Sequence, residues 1–339
     1  MRDDGLRIGI SGLGRLGKRH AQNLAFRVRG AKLAAACSLV PEELEWARKE
    51  LGVEAVFSDY SEMLDSGGLD AAFLVSSSSA HASQAIQALG RGLHVFTEKP
   101  LGVSVDECLE VERAVAACPN RVFLVGFVRR FDPSYARAKR LVDEGAIGEP
   151  FLVRSQTVDL DEYAPFQVAF VPSSGGIFLD MNVHDIDLAR WFLGAEVESV
   201  HAMGGSYVHP EFRDVGDADN TVAMARFAGG KMAVISASRT AFHGHDTHTE
   251  VTGSMGILKI GMTPVSSRVE LFDSGGARVA CVKDFYERFS EGFLAEAQEF
   301  VDCCLQGRKP SILARDGTKA TEVGFAMTES FRSGAEVRL

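Results

Sequence analysis

Short apolar runs alternate with segments of helical periodicity over the first third of the chain. Leu6-Arg7-Ile8-Gly9-Ile10-Ser11 reads as a strand, followed by a glycine turn and a helix to about Arg29. Residues 32–37, 70–75, 94–97 and 121–126 are further short apolar runs of strand character. Between them, Pro41 suits the first turn of a helix to Leu51 with Gly52 closing it, and residues 80–89 form another. Ser104-Val105-Asp106-Glu107 has the spacing of a capping box and opens a helix to about Ala117. Such alternation predicts right-handed βαβ units in a doubly wound parallel sheet.

The pattern changes near residue 127, which divides the chain into 1–127 and 128–339. Asp132 and Pro133 supply an N-cap and a first-turn proline for a helix to about Glu144. Strands then dominate, at 151–158, 196–207, 221–228, 231–239, 247–252, 268–273 and 277–283, with Gly229-Gly230 and Ser274-Gly275-Gly276 as hairpin turns. One helix near 180–193 interrupts them, and helices near 290–306 and 316–331 follow, with packing of these last helices back on the first domain left open. Hairpin-joined strands with helices to one side describe an antiparallel α+β domain.

Composition narrows the function classes. The 339 residues carry 36 Lys+Arg against 46 Asp+Glu, a formal charge of −10, and this acidic balance argues against a nucleic-acid partner. No apolar run approaches the roughly 20 residues that span a bilayer, so no membrane partner is expected. Met1 to Gly5 runs straight into a strand without a secretion-signal core, which places the chain in the cytoplasm. The six cysteines form no C-x-x-C pair, so reduced thiols are expected and no structural metal.

Gly12-Leu13-Gly14-Arg15-Leu16-Gly17 is a complete G-x-G-x-x-G between a strand and a helix, the context in which that spacing binds a dinucleotide. Gly12 permits the tight turn, Gly14 the approach of a pyrophosphate, and Gly17 close packing of helix on sheet. The acidic residue normally found about 20 positions later, where it binds the adenosine ribose, is absent. The second strand ends Cys37-Ser38-Leu39, and Ser38 offers a hydroxyl without charge. NAD is favoured, with NADP left open.

Ligands of an open parallel sheet lie beyond the C-terminal strand ends. Besides the glycine loop, loop 76–81 and Glu98-Lys99-Pro100 qualify, making Ser76, Ser78, His81 and Glu98 candidate cofactor contacts. Lys99 is placed to hold a substrate oxygen and favour its alkoxide. Asp180 and His184 are four apart, so one helix face would let the carboxylate orient the imidazole as a general base; Asp187 is a second possible partner. A capping Asp180 and a core His184 are the competing reading. His243-Gly244-His245-Asp246-Thr247-His248 lacks a metal-binding frame and reads as polar lining of a substrate pocket, with His243 and His245 on one strand face and His248 on the other.

These residues together resemble the Gfo/Idh/MocA family of nicotinamide-dependent sugar and cyclitol oxidoreductases. The matching stretches are Gly12 to Gly17, Glu98-Lys99-Pro100, Gly126-Phe127-Val128-Arg129-Arg130-Phe131-Asp132-Pro133, and Gly175-Gly176 through Asp180 and His184. Residues 35–47 and 184–191 look most like the inositol dehydrogenase branch. The resemblance implies an N-terminal Rossmann domain and a C-terminal domain whose large, open, mostly antiparallel sheet builds homotetramers. It further implies a catalytic set of Lys99, Asp180 and His184, substrate contacts from Arg129, Asp159 and His243 or His245, and oxidation of an inositol hydroxyl. A pyranose or anhydrosugar dehydrogenase is the alternative within enzymes, and a cofactor-binding sensor the alternative outside them.

Overall fold

The computed structural model describes residues 5–339, apart from the Arg268 side chain. Met1 to Asp4, on which the argument against a secretion signal began, lie outside the described residues. The chain forms two compact units. One contains residues up to Val128 with Glu291–Thr321, and the other Arg129–Ser290 with Glu322–Leu339. Residues 291–321 therefore belong with the N-terminal portion, although chain order groups them with the C-terminal one.

In the first unit, strands β1 (Leu6–Ser11), β2 (Ala31–Cys37), β3 (Ala55–Phe57), β4 (Ala71–Leu74), β5 (His94–Glu98) and β6 (Phe123–Gly126) form one parallel sheet. Helices α1 (Arg15–Phe26), α2 (Pro41–Leu51), α3 (Tyr60–Asp65), α4 (Ser78–Gly90) and α5 (Val105–Ala117) connect them. The strand order is β3-β2-β1-β4-β5-β6, reversing between β1 and β4. That reversal opens the crevice where doubly wound sheets bind ligands.

The end signals behave as their chemistry requires. Gly52 closes α2 at φ 67°, and Ser104 accepts from Glu107 N at the start of α5 while Glu107 Oε2 accepts from Val103 N at 2.8 Å. Under the sheet, Phe73 stacks on Phe96 at 3.9 Å, and Phe300 meets both rings edge-on at 6.0 Å.

The second unit begins with α6 (Pro133–Asp143), capped by Asp132, which accepts from Ser134 N and Tyr135 N. Strand β7 (Pro150–Leu160) is followed by α7 (Ala164–Ser174), α8 (Ile177–Asp180) and α9 (Val183–Leu193). Then come β8 (Val197–Gly205), α10 (Glu211–Asp214), β9 (Asn220–Phe227), β10 (Met232–Ala241), β11 (Asp246–Gly253) and β12 (Ile257–Ile260). The hairpin β13 (Val265–Asp273) and β14 (Gly276–Cys281) precedes α11 (Phe285–Gln306), α12 (Ala314–Ser333) and β15 (Val337–Arg338). The large sheet has the order β12-β11-β7-β10-β9-β8-β15, antiparallel except where β7 and β10 run parallel.

One face of this sheet is core, as the alternation in β9 shows. Ala223, Ala225 and Phe227 are buried, whereas Val222 and Met224 are 38% and 55% exposed. Met203 on β8 and Met232 on β10 are exposed as well.

Several elements depart from expectation. Helix α7 replaces a stretch given no structure; Pro165 and Pro172 and its nearly uniform apolar character conceal a helical stripe. The helix expected over 180–193 breaks at Met181-Asn182, leaving α8 and α9. The reason is a buried side chain: Asn182 Nδ2 donates to Asp185 Oδ2 at 3.0 Å and to Ser236 O at 3.1 Å. Strands β3, β12 and β15 are short pieces that the hydrophobic pattern did not mark.

Candidate active site

The glycine loop of the first unit divides its glycines by role. A Cβ on Gly12 would lie 2.4 Å from Val75 O, and that residue has φ 91°. A Cβ on Gly17 would lie 2.2 Å from Gly12 O, so α1 starts against the backbone of the loop. At Gly14 a Cβ would meet nothing within 4 Å. The space before the α1 N-terminus is open where a pyrophosphate would approach, with Arg15 exposed, Leu16 half-buried and Leu13 in the core. The loop thus fits a dinucleotide.

The tip of β2 differs from expectation. The uncharged Ser38 hydroxyl donates to Glu43 Oε2 at 2.5 Å and accepts from Val40 N at 3.1 Å. A carboxylate therefore stands beside the tip after all, supplied by α2.

At the β4 and β5 ends, Ser76 donates to Gln84 Oε1 and Ser78 is buried at the start of α4. His81 lies between two backbone carbonyls, with Nδ1 at 2.8 Å from Pro100 O and Nε2 at 3.1 Å from Ser76 O. Burial lowers its pKa, so the ring is neutral and has one N–H to donate, while it still spans the two loops. His81 therefore positions the loops.

Glu98 points into the core. Its Oε1 is 2.9 Å from His20 Nε2 and its Oε2 accepts the Lys99 backbone N–H at 3.2 Å. The fully buried Glu296 places Oε1 3.8 Å from the same His20 nitrogen. Burial, and then the charge of Glu98, push the Glu296 carboxyl well above its ordinary range. Lys99 itself is half-buried, directly after β5.

In the second unit, the break between α8 and α9 places Asp180 at the end of one helix and His184 in the first turn of the next, both half-buried. Asp180 and His184 therefore do not share one helix; a turn held by Asn182 sets their spacing. Asp187 is committed elsewhere, accepting from Arg130 Nε at 2.8 Å and Nη2 at 2.5 Å.

Asp185, fully buried next to His184, accepts from Arg129 Nη1 at 2.7 Å, Ser155 Oγ at 2.6 Å, Thr157 Oγ1 at 2.7 Å and Asn182 Nδ2 at 3.0 Å. Arg129, expected at a substrate hydroxyl, is only 3% exposed and also donates to Thr157 Oγ1. It serves as a strut for the backbone that carries His184.

The histidine cluster also resolves differently. Residues 242–245 form the β10–β11 connection, so the strand-face rule does not apply to His243 and His245. His245 is buried, with Nδ1 2.9 Å from Asp159 Oδ1 and Nε2 2.7 Å from Thr247 Oγ1. The two ring nitrogens thus face a carboxylate on one side and a hydroxyl on the other. Gln167 Nε2 holds the other Asp159 oxygen at 3.1 Å. His243 is exposed, 3.6 Å from Asp246, and His248 approaches the same carboxylate at 3.4 Å. Burial alone would raise Asp246, but the hydrogen bond and charge of His248, then His243, hold it below its usual value.

A phosphate-binding glycine loop at a strand-order reversal defines the first unit as a dinucleotide-binding domain. Residues 6–127 match the NAD-binding Rossmann domain of the oxidoreductase family, and residues 135–259 match the GFO/IDH/MocA C-terminal domain. The chain belongs to the Gfo/Idh/MocA family. It is 38% identical to the scyllo-inositol 2-dehydrogenase (NAD(+)) of Bacillus subtilis, over 98% of this chain and 96% of that protein. Identity to the myo-inositol 2-dehydrogenase of Thermotoga maritima is 34%, over 98% of both. A crystal structure of scyllo-inositol dehydrogenase from Lactobacillus casei, with bound NAD(H) and scyllo-inositol, superposes with TM-score 0.95 at 41% identity, over 98% of this chain and 99% of that one.

Proposed function

We propose that this protein oxidises a secondary hydroxyl of scyllo- or myo-inositol to the corresponding ketone, with NAD as the hydride acceptor. The observation that carries the reading is the whole-chain likeness to the L. casei enzyme with NAD(H) and scyllo-inositol, which extends through both units. Gly12 to Gly17 hold the pyrophosphate of the cofactor through backbone N–H groups, and loop 76–81 and Glu98-Lys99-Pro100 border its nicotinamide end. Bound nicotinamide supplies the acceptor for the hydride that leaves the alcohol carbon. Lys99 donates to the reacting oxygen and stabilises the negative charge that grows there. His184 takes the hydroxyl proton as general base, and Asp180 favours the protonated imidazole. The half-buried Asp159 and the buried His245, held to each other at 2.9 Å, provide contacts for further ring hydroxyls, and His243 is an outer contact.

The protein assembles as a homotetramer through the open face of the seven-stranded sheet, where Met203, Val222, Met224 and Met232 leave apolar area exposed. Among the described residues no helix is long and apolar enough to cross a membrane. All six cysteines are free, and burial raises Cys37 to about 11 and Cys108 to about 12, so both thiols are inert. Such thiols suit the cytoplasm.

The test is absorbance at the reduced-nicotinamide band with inositols and pyranoses, each with NAD and NADP. Turnover of an inositol with NAD is expected. Turnover confined to a pyranose would move the substrate class, and tight cofactor binding without any turnover would favour a sensor.

A further inference from the structure

We propose that Glu43 makes this domain choose NAD over NADP, in place of the strand-end acid that the sequence lacks. The proposal rests on the dinucleotide reading of the first unit and adds a residue to it. Strand β2 is stitched to the glycine loop, since Gly12 N donates to Cys37 O at 2.9 Å. The next residue, Ser38, therefore stands where an adenosine ribose meets the sheet. Its single hydroxyl proton is given to Glu43 Oε2, and its lone pair is taken by Val40 N. Ser38 is thus a holder for the carboxylate, with no proton left for a ribose oxygen.

Glu43 lies in the first turn of α2, whose N-terminal N–H groups favour an anion. It is half-exposed, and Leu39 and Val40 beside it are open to solvent, so the carboxylate borders accessible space. An anion in that place does two things. It accepts hydrogen bonds from the ribose hydroxyls of NAD, and it repels the 2′-phosphate of NADP at short range. In dinucleotide-binding folds with an acid at the end of this strand one residue performs both tasks. Here the acid comes from five positions further on, folded back over the strand tip by a serine.

The experiment is a fluorescence titration of NADH and of NADPH against the full-length protein, as wild type, Glu43→Gln and Ser38→Ala. Wild type is expected to bind NADH at least about tenfold more tightly than NADPH, and Glu43→Gln to shrink that ratio by about tenfold. Ser38→Ala, which keeps the charge but frees it, should shrink the ratio by less; it also decides the matter should the first variant fail to fold. A merely structural Glu43 would weaken both dinucleotides alike, and an unchanged ratio in both variants overturns the proposal. Equal affinity of wild type for NADH and NADPH also overturns it. Binding of neither dinucleotide would remove the cofactor reading together with Glu43's role.

Discussion

Arg129 and Asp185 face each other at 2.7 Å in the second unit, with both side chains no more than 3% exposed. A buried pair of this kind contributes little over well-packed apolar groups, but removing one partner leaves a charge that neither water nor protein satisfies. Asp185→Ala should therefore cost about 3–5 kcal/mol of unfolding free energy, measured in urea. Arg129→Lys should lower stability too, because an ammonium cannot reproduce the two donors that reach Asp185 and Thr157. A raised inositol KM with unchanged stability would return Arg129 to the substrate.

The two glycines of the phosphate loop should fail in different ways. Gly17→Ala forces a Cβ against Gly12 O and should cost about 1–3 kcal/mol of stability. Gly14→Ala meets no neighbour, so thermal unfolding should hardly change, whereas NADH affinity should fall by about tenfold or more as the methyl occupies the phosphate approach. Equal effects of both variants on melting would contradict the division of roles.

Much of this was legible along the chain, and the exceptions share a cause. The glycine loop, Pro41 with Gly52, Ser104 with Glu107, and Asp132 with Pro133 are local signals, and each appears in place. Glu43 was missed because its contribution depends on a helix folding back on a strand end. The Arg129–Asp185 pair was out of reach of spacing rules because its partners are 56 positions apart. The meeting of His20, Glu98 and Glu296 joins residues from α1, β5 and α11, and no spacing rule reaches across such distances. Helix α7 hid behind its prolines. Local chemistry reads from sequence; a buried partner does not.

Glu296 should make stability depend on pH. Its folded-state pKa is raised above the ordinary 4.5, so the folded protein holds the proton more tightly than the unfolded chain. The stability this brings is full below 4.5 and is lost as pH rises through the folded value. Glu296→Gln keeps a neutral amide in the same space and should flatten that decline. Urea unfolding at acidic and alkaline pH checks it; an equally steep decline in the variant would show that Glu296 is not the titrating group.

His184→Ala should lower kcat by about 10²–10⁴-fold and abolish the rise of kcat with pH that a general base produces. His184→Gln should do the same, since it restores hydrogen bonding but not basicity. A variant profile that still climbs with the wild-type pKa would assign the proton to another group.

The most direct test of the account is turnover of scyllo- and myo-inositol with NAD by wild type and Lys99→Ala, with NADH binding titrated in parallel. Wild type should oxidise inositol, and the variant should lose at least about 10²-fold in kcat while NADH affinity changes only a few-fold. Near wild-type oxidation by Lys99→Ala would contradict it, because the charge growing on the alcohol oxygen would then be stabilised elsewhere.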